Sequence, residues 1–144
     1  MDGDHSNDTA YSVHVVTDSL YARDDSGPIG AVGIGAGTGG YMGQSYAINT
    51  AAKIKAVEIY FTASDAGEPL AAAVWSIGPD GQPDQIVAAT DTLFYPDDFG
   101  GYFNLPIHGG EKALTPGNYV VTAIEFDSTL QLAVSQVIFT PGTT

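Results

Sequence analysis

Hydrophobic and polar positions along this chain alternate with a period of two far more often than with the 3.6 of a helix. In "KAVEIYFT", Val57, Ile59 and Phe61 fall on one side and Glu58, Tyr60 and Thr62 on the other. In "GYFNLPI", Phe103, Leu105 and Ile107 alternate with Tyr102 and Asn104 in the same way. Each pattern predicts a strand with one face in a core and one in water, because successive side chains of extended backbone point to opposite sides. "YSVHVV" (Tyr11–Val16) alternates too, and "SLYARD" either continues that strand or begins a second. "LAAAVWSI" (Leu70–Ile77) is apolar on both faces, the pattern of a central strand covered on both sides. That places Trp75 in core packing.

"QSYAI" (Gln44–Ile48), "QIVAAT" and "TLF" add further short strands. "NYVVTAIEF" (Asn118–Phe126) and "LQLAVSQVIF" (Leu130–Phe139) read as the last two, joined as a hairpin across Asp127–Thr129. The one stretch with helical character, around Ala51–Val57, is too short and lies between strands. "GPDGQPD" and "TPGN" supply turn chemistry, proline presetting φ and glycine accepting positive φ. In "LTPGNYVV" (Leu114–Val121) such a turn delivers Tyr119 to the start of a strand. This suits a sandwich corner, where the ring packs and the hydroxyl bonds nearby backbone. About eight short strands without helices predict an all-β fold, an antiparallel two-sheet β-sandwich. A length of 144 residues is one domain, expected over 11–144, with residues 1–10, "MDGDHSNDTA", a flexible acidic tail.

The glycine-rich stretch "GPIGAVGIGAGTGGYMGQ" (Gly27–Gln44) contains Gly35, Gly37 and Gly40 at G-x-G-x-x-G spacing. A dinucleotide site needs a helix to open at the third glycine, so that pyrophosphate meets its N-terminus. Here "YMGQSYAI" follows, which is strand-like, and no Lys-Ser/Thr pair follows either. The stretch is expected to be a structural connection with tight bends.

Charge narrows the functional classes. Seventeen acidic residues face only Arg23, Lys53, Lys55 and Lys112, for a net charge of −13. That repels nucleic-acid phosphates and anionic membrane surfaces, so neither partner is expected, and no apolar run is long enough for membrane insertion. Without cysteine there are no disulfides or thiolate metal sites. His5, His14 and His108 are too dispersed for a zinc triad, no G-x-S-x-G elbow occurs, and "DFG" at Asp98–Gly100 lacks the other kinase motifs. No catalytic residue is assigned.

Taken in order, "DSLYARD", "GAVGIGAGTGGYMGQSYAI", "KAVEIYF", "AAVWSIGPDGQPDQIVAAT", "LTPGNYVVTAIE" and "FTPGTT" resemble the jelly-roll-like β-sandwich modules of large secreted Bacteroidota proteins. Such modules occur upstream of type IX secretion sorting domains. The resemblance covers roughly residues 11–144 and implies an extracellular or cell-surface location and adhesion or carbohydrate binding. Members continue past "TPGT" into sequence that completes the sandwich. That comparison leaves three expectations: the chain is a fragment, the last strand is dispensable, or a neighbouring chain supplies it at a sheet edge.

Sugar binding needs flat aromatic faces with amides or carboxylates beside them. "FYPDDFGGYFN" (Phe94–Asn104) offers Tyr95, Asp97, Asp98, Phe99, Tyr102 and Asn104 as ligand-binding candidates, and Tyr60 could extend the platform. The plainer reading of the same stretch is a turn with solvated aspartates. Calcium takes six to eight oxygen ligands; Asp24 and Asp25, before a glycine-rich turn, are the first candidates for a structural ion, followed by Asp80, Asp84, Asp97 and Asp98. The sequence therefore favours a non-catalytic extracellular binding, adhesion or spacer module that takes a glycan or other protein subunits. A structural subunit held in a homo-oligomer or filament by β-edge contacts is the second reading. A glycoside hydrolase is the third, disfavoured because Glu is scarce.

Overall fold

The computed structural model describes residues 15–16, 21–22, 30–33, 39–63, 67–96, 101–126 and 131–134. By internal contacts the chain divides into two compact units, one spanning Ala31–Ala133 and the other comprising Met1–Gly30 with Val134–Thr144. In the smaller unit, β1 (Val15–Val16) pairs antiparallel with β2 (Tyr21–Ala22), so "SLYARD" begins a second strand. The predicted tail at residues 1–10, the start of "YSVHVV", His5 and His14 lie outside the described residues, as do Gly35, Gly37 and the chain after Val134.

The remaining strands are β3 (Gly30–Val32), β4 (Gly40–Ile48), β5 (Ala52–Ile54), β6 (Ala56–Ala63), β7 (Pro69–Ile77), β8 (Pro83–Ala89), β9 (Leu93–Phe94), β10 (Gly101–Pro106), β11 (Lys112–Leu114), β12 (Gly117–Glu125) and β13 (Gln131–Val134). No helix occurs among the described residues, and none there is long and apolar enough to cross a membrane. One sheet runs β4-β12-β7-β8, with β9 also on β7; a second runs β10-β6-β13-β3; β11 and β5 form a small pair. The fold is an all-β antiparallel sandwich whose sheets do not close into a barrel.

Alternation did what periodicity predicts. On β6 and β10, Val57, Phe61, Leu105 and the following Ile107 are buried, and Ile59 and Phe103 pack against the same cluster. Ile48, Leu70, Ala72, Val74, Ala88 and Tyr119 from the other sheet join that cluster, as do Tyr95 and Leu114. Phe61, Leu70 and Leu105 are fully closed to solvent, each such side chain contributing about 1.5–3 kcal/mol of burial. β7 is central, between β12 and β8, and Leu70 through Val74 are all buried. The expected tyrosine corner forms: Tyr119 is buried and its hydroxyl donates to the Thr115 carbonyl at 2.8 Å. At the "GPDGQPD" turn, Gly81 takes φ of 79°, and the Asp80 carboxylate accepts from the Gln82 N–H at 3.1 Å.

Two expectations are corrected. β12 and β13 are not a hairpin: β12 has β4 on one side and β7 on the other, so neither edge is left, and β13 pairs with β6 in the second sheet. The intervening Asp127–Thr129 lies outside the described residues. The strand expected at Gln44–Ile48 starts at Gly40, four residues earlier. This β4 stands where a dinucleotide fold would open its helix, so the phosphate-loop reading fails at its third glycine. Gly43 permits β4 to lie close to β12, since a Cβ there would sit 2.0 Å from the Val121 carbonyl oxygen.

Candidate functional site

The antiparallel register of β6 with β10 sets Tyr60 opposite Tyr102 and Glu58 opposite Asn104. Their inward neighbours Val57, Phe61 and Leu105 are committed to the core, so these four side chains stand on the outer face. Tyr102 is 55% exposed and meets Tyr60 edge to face, ring centroids 5.2 Å apart at 83°. One step along the ladder, roughly 7 Å away, Asn104 Nδ2 donates to Glu58 Oε1 at 3.1 Å. Next to the aromatic pair on the other side, the Thr62 hydroxyl donates to the Gln131 carbonyl at 3.4 Å. The result is an aromatic step flanked by a carboxamide, a carboxylate and a hydroxyl on a rigid sheet.

Of the sequence-predicted residues, the structure brings together Tyr102, Asn104 and the platform candidate Tyr60, and adds Glu58. Tyr95 is removed from the surface. Only 4% exposed, its ring stacks on Phe103 at 6.4 Å and meets Phe61 edge-on at 5.7 Å. Burial pushes its phenol above the ordinary value. A residue so enclosed offers no face to a ligand. The alternation itself carried this signal: Leu93 packs inward and Phe94 is 66% exposed, so Tyr95 returns to the inner side. Asp97, Asp98 and Phe99 lie outside the described residues, as do the calcium candidates Asp24 and Asp25. Among the described residues no group of three or more His, Asp or Glu side chains is placed to hold a metal ion.

A second aromatic pair went unanticipated. Trp75 is half-buried and is not part of the core cluster; on β7 it stands on the outer side, opposite Val120 of β12 and Ile86 of β8. Its indole N–H donates to Thr122 Oγ1 at 3.0 Å, and Tyr41 of β4 meets the ring edge to face at 5.3 Å. Thr122 is thereby 5% exposed although it points away from the core, and its hydroxyl donates onward to the Ala73 carbonyl at 3.3 Å. His108, the histidine that is described, is exposed and paired with Asp91 at 2.5 Å. Lys53 and Glu111 form an exposed ion pair across β5 and the turn before β11.

No family model matches the chain, and no curated protein or solved structure does so either.

Proposed function

We propose that the protein is a non-catalytic β-sandwich binding module of a secreted or cell-surface assembly, and that it binds a neutral glycan on the outer face of β6 and β10. The observation that carries this reading is the exposed Tyr102, braced by Tyr60, beside the Asn104–Glu58 pair. An aromatic face takes the C–H side of a sugar ring, while an amide and a carboxylate on the same plane select its hydroxyls. The net charge of −13 repels uronate-rich or sulfated chains and directs the choice to uncharged polysaccharides. The extracellular setting follows from the resemblance of the sequence motifs to Bacteroidota modules. A structural calcium ion at Asp24 and Asp25 belongs to the same reading.

Affinity electrophoresis through a panel of neutral polysaccharides tests it. Retardation by at least one polymer is expected, lost in Tyr102→Ala and weakened in Asn104→Ala, with Phe94→Ala on β9 retained as wild type. Absence of retardation across the panel, or retention unchanged in Tyr102→Ala, refutes the assignment.

A further inference from the structure

We propose that β4 is a self-association edge, and that two copies of this chain pair their β4 strands antiparallel across a two-fold axis to join two five-stranded sheets. The inference does not depend on the glycan reading.

β4 is nine residues long and runs against β12 in unbroken register, from Ile48 opposite Gly117 to Gly40 opposite Glu125. Among the described residues, β12 is its one neighbour in the sheet. Gly43, Gln44 and Ser45 are consecutively exposed, on both faces of the strand, which is the signature of an uncovered edge rather than of an interior strand. A long, regular edge presents unpaired N–H and C=O groups in a row, and proteins ordinarily blunt it with charge, proline, bulges or shortness.

β4 carries none of these devices: Gly40–Ile48 contains no charged residue and no proline. Among the described residues, the other edges of the two larger sheets, at β8, β10 and β3, are guarded. β8 opens on Pro83, continues with Asp84 and breaks register twice against β7. β10 is six residues long and ends on Pro106, and β3 has three residues.

The partner follows from charge and symmetry. Two chains that each carry −13 repel wherever their carboxylates meet, and β4 itself brings no carboxylate opposite its copy. A two-fold axis makes a strand its own antiparallel complement. Full overlap sets Gln44 against Gln44 of the second copy, where amide side chains donate and accept reciprocally. A foreign partner drawn by the acidic surface would find no electrostatic cue along this edge.

Sedimentation velocity of the full chain over a concentration series, at low and high salt, tests the proposal. The expected result is a monomer–dimer equilibrium that tightens with salt as self-repulsion is screened. Ser45→Lys reduces the magnitude of the net charge, so bulk electrostatics alone would strengthen association; edge pairing requires it to weaken several-fold, because each lysine lies opposite Gly43 of the other copy and the two like charges become diagonal neighbours on one face, about 7–8 Å apart. Phe94→Lys makes the same charge change on β9 and should dimerise at least as well as wild type. Circular dichroism confirms that both variants remain folded. A monomer at every concentration overturns the proposal. So does dimerisation indifferent to Ser45→Lys, or growth beyond a dimer, since two-fold pairing consumes the edge.

Discussion

Removing the hydroxyl beneath the sole tryptophan isolates one contact and reports on it directly. In Thr122→Val the shape and β-branching of the side chain are kept while Trp75 Nε1 loses its acceptor at 3.0 Å. Such a bond contributes about 0.5–1.5 kcal/mol net, and an orphaned donor costs about 1–3 kcal/mol more when fully enclosed. Trp75 is half-buried, so water reaches the freed N–H and the second cost stays near its lower bound. The 3.3 Å contact to the Ala73 carbonyl is long and adds little. Against these losses, a methyl replacing a hydroxyl on a side chain only 5% exposed returns somewhat under about 1 kcal/mol. The net destabilisation is about 1–2 kcal/mol, which lowers Tm by about 3–8 °C for a domain of this size. The indole, no longer pinned, should be quenched more strongly by acrylamide. Thr122→Ser keeps the acceptor and should lose stability with little change in quenching. Should Thr122→Val leave quenching and Tm at wild-type values, or Ser match Val in quenching, the pinning argument fails.

Three further outcomes follow from single contacts. Tyr119→Phe should cost about 0.5–1.5 kcal/mol in urea denaturation with unchanged m, toward the low end because Thr115 is exposed and its carbonyl can be rehydrated. Gly43→Ala should destabilise severely or prevent folding, because the new Cβ would meet backbone rather than a flexible side chain; thermal melts decide it. Lys53 holds the Glu111 carboxyl below its ordinary value, first by hydrogen bonding and then by its charge. A depressed carboxylate contributes stability above its unfolded pKa and loses it as pH falls through the folded one, so the pair supports the fold at neutral pH and not in acid. In Lys53→Met an NMR titration should show Glu111 return toward the ordinary range.

The strands that could be read directly were those with large side chains in strict alternation, because burial of one face forces that pattern. β7 shows where alternation stops informing. Its residues are apolar on both sides, and nothing local says which side meets the core. The core face takes Leu70, Ala72 and Val74, and Trp75 falls on the other. The pairing of Trp75 with Tyr41 arises across β12, which lies between their strands, and no local window contains that register. The false hairpin has the same origin: spacing between β12 and β13 cannot disclose that β4 and β7 already occupy both sides of β12. β5 and β11 are three residues each and too short for a period to emerge. At the candidate site, Tyr60, Tyr102 and Asn104 were legible as outward positions, whereas the Glu58 partnership required the β6–β10 register.

Both sheets thus carry an exposed tyrosine on their outer faces, and their different surroundings separate a structural pair from a binding one. Tyr41 and Trp75 together account for buried groups: Thr122 and Ala73 are nearly closed to solvent on a face that points away from the core. Tyr41→Ala should uncover them and cost about 1.5–3 kcal/mol, the aromatic contact plus exposed apolar area. Tyr102 rests on Tyr60 above neighbours that remain exposed, Glu58 and Asn104 among them. Loss of that aromatic contact should cost about 0.5–1.5 kcal/mol. Chemical denaturation and polysaccharide retention measured on both variants therefore move in opposite senses: Tyr41→Ala loses more stability and keeps retention, Tyr102→Ala loses less and abolishes it. If the larger stability loss and the loss of retention fall on the same tyrosine, packing rather than recognition accounts for that residue, and the glycan face must be sought elsewhere.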